Sequence, residues 1–138
     1  MEDIALGFNE NKGFSFQKKE RLCSKKIIDK LFTEGTSFLI FPLKIQIIET
    51  KLPDLVPIQV AFTVSKKVFK RAVDRNLLKR RMREAYRLNK NALCLNPNEK
   101  QIAVFFIFIA KEIVEYKQIE AAMQKALKKI EKQLTIKN

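Results

Sequence analysis

Apolar residues along this chain recur with two different periods, and the changes from one to the other divide it into elements. From Ser24, the positions Ile27, Ile28, Leu31 and Phe32 repeat at helical spacing. Ser24 can cap the start by accepting an orphan backbone N–H, and Gly35 stands just beyond the end as a stop. A first helix is predicted there. Phe38 to Glu49 alternates instead, with Leu43, Ile45 and Ile47 on one face and Lys44, Gln46 and Ile48 on the other, which predicts a strand. Pro42 puts that strand at an edge or marks its start, because proline cannot donate to a ladder. The turn-prone connection Lys51 to Pro57 leads to a second strand-like run, Ile58 to Val64, and a hairpin is the natural pairing of the two.

A basic bend at Ser65 to Arg71 precedes a long helical pattern from about Ala72 to Asn89. Asn96-Pro97-Asn98 breaks the chain. Ile102 to Ala110 is apolar at every position, as in a central strand covered on both sides. Ile119, Met123, Ala126, Leu127, Ile130 and Leu134 form a last helical stripe. Helix, two or three strands, helix, strand, helix is the order of an α+β sandwich. Residues 1 to 20 lack periodicity and read as a flexible N-terminal arm, leaving 21 to 138 as a single domain. With 138 residues and 46% apolar content, one packed core is within reach.

Charge changes the picture most. The chain carries 28 Lys and Arg against 15 Asp and Glu, a net of +13 that attracts polyanions. Between Lys66 and Lys90, eleven basic residues face two acids, Asp74 and Glu84, so +9 of the +13 lies in one stretch. On a wheel of about 100° per residue, Leu77, Leu78, Met82, Ala85 and Leu88 share an arc that must be buried. Arg75, Asn76, Lys79, Arg80, Arg83, Arg87 and Lys90 share the opposite arc. A merely solvated helix intersperses acids among its bases at i to i+4 spacing; this face does not, and its self-repulsion calls for an external anion. Arginine, which dominates the segment, grips phosphate oxygens bidentately. A domain that binds RNA or DNA is therefore expected.

Other chemistries lose ground. There is no histidine for general-base or triad work, and Cys23 and Cys94 are isolated thiols unsuited to a zinc site. Gly7, Gly13 and Gly35 form no phosphate loop. The longest apolar run has nine residues, against the roughly 20 needed to span a bilayer, and the apolar arc of the basic helix is committed to the core, so no membrane partner is expected. Met1-Glu2-Asp3-Ile4 does not open a secretory signal, and a cytoplasmic location is expected.

The wording of the basic segment is specific: Thr63-Val64-Ser65-Lys66-Lys67, then Arg75-Asn76, Lys79-Arg80 and Arg83 at two-residue intervals. It resembles the signature of the bacterial ribonuclease P protein subunit. Arg21-Leu22 before the first helix and Phe32 followed by Gly35-Thr36-Ser37 extend the resemblance to roughly Phe16 to Ile130. The resemblance implies a central, mostly antiparallel four-stranded sheet with three helices and a left-handed βαβ crossover, the fold type of ribosomal protein S5 domain 2. It further implies a protein monomer in a 1:1 ribonucleoprotein with ribonuclease P RNA. That RNA carries the chemistry of removing the 5′ leader from precursor tRNA, with Mg2+ held mainly by RNA and substrate. The protein itself is then a non-catalytic subunit of an endoribonuclease.

Carried over by position, Arg75, Asn76, Lys79, Arg80, Arg83 and Arg87 would meet the catalytic RNA. Phe32, Gln46, Thr63, Lys66 and Lys67 would line the cleft for the single-stranded leader. Three departures stand out: Leu77 where relatives carry a further base, leaving Arg81 as a possible substitute; a longer bend, Val68 to Arg71, without glycine; and Ile28 in place of a second aromatic. The alternative is a structural ribosomal-type RNA-binding protein without a processing role.

Overall fold

The computed structural model describes residues 16–93 and 100–136. The first helix, α1 (Lys25–Glu34), starts where the Ser24 hydroxyl accepts the Ile27 N–H at 3.3 Å. It stops at Gly35, where a Cβ would fall 2.4 Å from Leu31 O and 2.9 Å from Ile47 O. Close approach, more than backbone freedom, requires glycine there.

Two strands, β1 (Thr36–Ile40) and β2 (Leu43–Glu49), occupy the segment where alternation predicts one. The chain reverses at Phe41-Pro42, whose peptide bond is cis. Alternation cannot register so tight a reversal, because both arms keep their apolar side chains on the same face of the sheet. β3 (Ile58–Val64) has the predicted bounds, but the β2–β3 hairpin does not form. The sheet order is β1-β2-β4-β3, with β4 (Ile102–Phe108) antiparallel to β2 and parallel to β3. The strand that is apolar on both faces takes the central place because only there are both faces covered.

On one side of the sheet lie α2 (Ala72–Asn89) and α3 (Tyr116–Ile136), packed on Leu43, Ile45, Val60, Val104, Phe106 and their neighbours. On the other, α1 alone covers a smaller cluster of Leu22, Leu31, Leu52, Val56 and Ala103. This is the α+β sandwich expected, with two antiparallel strand pairs and one parallel pair. Among the described residues no helix is long and apolar enough to cross a membrane.

Two expectations need correction. On α2 the buried stripe is Leu78, Met82, Ala85 and Tyr86, while Leu88 is 40% exposed and Leu77 half-buried. Tyr86 rotates the stripe because its ring fits among Phe16, Phe62 and Phe106, at centroid distances of 5.8 to 6.1 Å. The second concerns the arm. Residues 1 to 15 lie outside the described residues, but 16 to 20 are docked. Phe16 meets Phe62 edge-on, Glu20 Oε1 pairs with Lys90 Nζ at 2.5 Å, and the Leu22 N–H donates to Val60 O at 2.9 Å. A single aromatic joining a cluster built by distant strands leaves no periodic trace. Cys94, Asn96-Pro97-Asn98 and the Leu134 side chain lie outside what is described; Cys23 is free and exposed.

Candidate nucleic-acid interface

Because α2 buries the flank of Leu78, Met82 and Tyr86, its turns carry Asn76, Lys79, Arg80 and Arg83 to the opposite flank. With Val73 these four line one shallow depression of about 590 Å³. Arg80 and Arg83 are exposed, and among the described residues no side chain pairs with either. Four polar or cationic groups thus converge on one space that the core leaves open, an arrangement matched to phosphate oxygens.

The remaining predicted members are placed differently. Arg75 is turned back on the bend, its Nη1 donating to Phe69 O at 2.8 Å and Lys70 O at 2.9 Å. In effect its side chain fastens the glycine-free bend to the first turn of α2. Arg87 donates from Nε and Nη2 to Glu84 Oε1 and Oε2 at 2.9 and 2.8 Å. The Arg87 guanidinium holds the Glu84 carboxyl below its ordinary value, and Glu84 in turn raises Arg87. Arg81 donates to Val114 O ahead of α3, so that guanidinium nitrogen is engaged within the fold. Lys90 is the ion-pair partner of Glu20.

Residues predicted for the leader gather on the α1 side of the sheet. Register puts Lys44, Ile107 and Thr63 in one row across β2, β4 and β3, and Gln46, Phe105 and Ala61 in the next. Phe32, 49% exposed, reaches from α1 to lie 5.3 Å from the Phe105 ring. Gln46 Oε1 is buried there and accepts no hydrogen bond from the protein. Past the end of β3, the Ser65 hydroxyl accepts the Lys67 N–H at 3.1 Å and Ser65 O accepts the Phe69 N–H at 3.0 Å. That turn leaves the side chains of Lys66 and Lys67 exposed. An open aromatic pair, an amide oxygen without a partner and flanking cations suit unpaired nucleotides.

Sequence reading missed Phe105 and Lys44 as members of this surface. Lys44 was marked by its alternation with Leu43 and Ile45. Phe105 was hidden in a run apolar at every position, where nothing in the sequence says which face stays partly uncovered.

A family model described as Ribonuclease P matches residues 16–131. The chain belongs to the ribonuclease P protein family. The ribonuclease P protein component of Porphyromonas gingivalis is 37% identical over 119 residues, covering 85% of this chain and 87% of the relative. That of Chlorobaculum tepidum is 45% identical over 62 residues, 41% of this chain and 40% of the relative. Two solved structures share the fold: the Thermotoga maritima RNase P protein at a TM-score of 0.64 and 23% identity, over 80% of this chain and 96% of that one, and the Staphylococcus aureus RNase P protein at 0.61 and 24%, over 82% and 95%. Family membership makes this chain a component of a tRNA-processing endoribonuclease complex, and a protein component implies a partner RNA subunit.

Proposed function

We propose that the chain binds the catalytic RNA of ribonuclease P through the α2 depression and the 5′ leader of precursor tRNA through the α1-side cleft, as one protein per RNA. The observation carrying this reading is the convergence of Asn76, Lys79, Arg80 and Arg83 on a flank that the core does not use. The RNA carries the chemistry, consistent with a chain that has no histidine. Mg2+ is assigned to the RNA and substrate phosphates, since the dense positive charge of α2 opposes a cation on that surface. The protein neutralises phosphates and retains substrate.

Mixing the protein with a bacterial ribonuclease P RNA and precursor tRNA at low magnesium tests partner, substrate and role together. Cleavage should rise and substrate should bind more tightly than with RNA alone. A protein that changes neither would be a structural RNA-binding protein without a processing role.

A further inference from the structure

A second set of cations lies away from α2, around the N-terminal end of α1. Lys18, Lys19 and Arg21 line one depression of about 360 Å³, and Lys26, Lys30 and Lys51 line another of about 590 Å³. Ser24 and Pro53 belong to both, so the two are one groove bent around the start of the helix. All six side chains are exposed, and among the described residues none is held in an ion pair; Arg21 lies over the Phe16 ring at 5.5 Å from its centroid. The one acid in the lining is Asp54, whose Oδ2 accepts from Gln59 Nε2 at 3.3 Å. Six cations with no carboxylate partner among the described residues, against one acid already hydrogen-bonded, repel each other and attract a polyanion.

The walls are fixed in advance. Gln59, only 2% exposed, also donates from Nε2 to Lys19 O at 2.8 Å, tying the segment before α1 to the sheet. On the other wall, Gln101 accepts the Leu52 N–H at 3.0 Å and donates to Asp54 O and Val56 O at 2.9 Å. Binding would not first have to order this groove.

The groove also continues the leader cleft. Gln59, Ala61 and Thr63 alternate onto the same side of β3, so the strand leads from Thr63 beside the cleft to Gln59 in the groove. Lys66 and Lys67, at the Thr63 end, lie next to the start of α2. The groove is at the other end, away from the start of α2 and beside Glu20, whose partner Lys90 follows the last turn of that helix. Beyond Lys30, Glu34 and Glu49 line the next depression, and their charge ends the cationic track.

We infer that this groove binds the part of the single-stranded leader farther from the cleavage site, through phosphate contacts with Lys26, Lys30 and Lys51 after the strand leaves the cleft. The inference rests on the leader-cleft reading above and extends it. Contacts of this kind are sequence-tolerant and dependent on salt.

The test uses the reconstituted holoenzyme and precursor tRNAs with leaders of about 4 and about 16 nucleotides, the range that single-strand sites span. Wild type should bind the long-leader substrate more tightly. The variant Lys26→Gln, Lys30→Gln, Lys51→Gln should lose about tenfold in affinity for the long leader, with a salt slope flatter by about 2. Its affinity for the short leader, which also reports correct folding, should match wild type. Equal loss for both leaders would assign the lysines to the RNA subunit, and no loss for either would make them a solvated face; each overturns the inference. Phe32→Ala with Lys67→Ala separates this from the parent reading, since it should weaken both leaders relative to mature tRNA. If that pair is silent, cleft and groove fall together; if only the lysine variant is silent, the groove falls alone.

Discussion

Phe105 and Phe106 are adjacent in β4 and point to opposite sides of the sheet. Phe106 is fully buried beneath α2 and α3, stacked 5.6 Å from Phe62 and tilted against Tyr86 at 6.1 Å. Phe105 stays partly open beside a half-exposed Phe32, because the ten residues of α1 cover only part of their side. A side closed by two long helices stores stability, and a side closed by one short helix keeps aromatic surface available for a ligand. The basic helix α2 belongs to the closed side, yet its outer flank is as open as the cleft. Stability and recognition are therefore divided between faces of the same elements.

The largest effect should come from Phe106→Ala, which should cost about 3–5 kcal/mol of stability in urea unfolding by leaving a cavity between sheet and helices. Phe105→Ala should cost well under half as much and act on leader affinity instead. Equal destabilisation by the two would erase the distinction between the sides. Next, Arg80→Ala with Arg83→Ala should flatten the salt dependence of catalytic-RNA binding by about 2 in log–log slope while moving stability by no more than about 0.5 kcal/mol. An unchanged slope would remove these arginines from the phosphate contacts.

Phe32→Ala should weaken leader-bearing precursor by about 1–3 kcal/mol, the worth of one stacked base, and leave mature tRNA unaffected. Equal weakening of both substrates would return Phe32 to a packing role. The smallest effect belongs to the closed side. Tyr86 OH is buried without a hydrogen-bond partner, and burial, helped by Glu20, pushes the phenol above its ordinary value of 10.0. Tyr86→Phe should stabilise the protein by up to about 1 kcal/mol at neutral pH. Because the folded phenol ionises later than the unfolded one, its contribution is complete below pH 10 and is lost as pH rises beyond it. Wild type should therefore melt earlier than Tyr86→Phe in alkaline scans, and parallel curves would contradict the burial of this hydroxyl.

Much of this was legible in advance because it rests on local rules. The cap at Ser24, the stop at Gly35, the bounds of β3 and α2 and the shared flank of Asn76, Lys79, Arg80 and Arg83 all follow from spacing within a few residues. Arg75 and Arg87 were indistinguishable from their neighbours in sequence. The structure separates them because Arg75 finds the carbonyls of Phe69 and Lys70 and Arg87 finds Glu84. The first of these depends on how the bend closes, which residue type does not encode.

By itself the sequence determined the three helices, the strands β3 and β4, the concentration of charge and the family, since periodicity, composition and motif spacing are properties of the chain alone. Only the tertiary structure decided that β4 lies between β2 and β3, that Tyr86 displaces Leu88 from the core, and that Phe105 and Phe32 form an open pair. Each of those outcomes is a competition for burial among segments distant in sequence, and burial is settled by the whole fold.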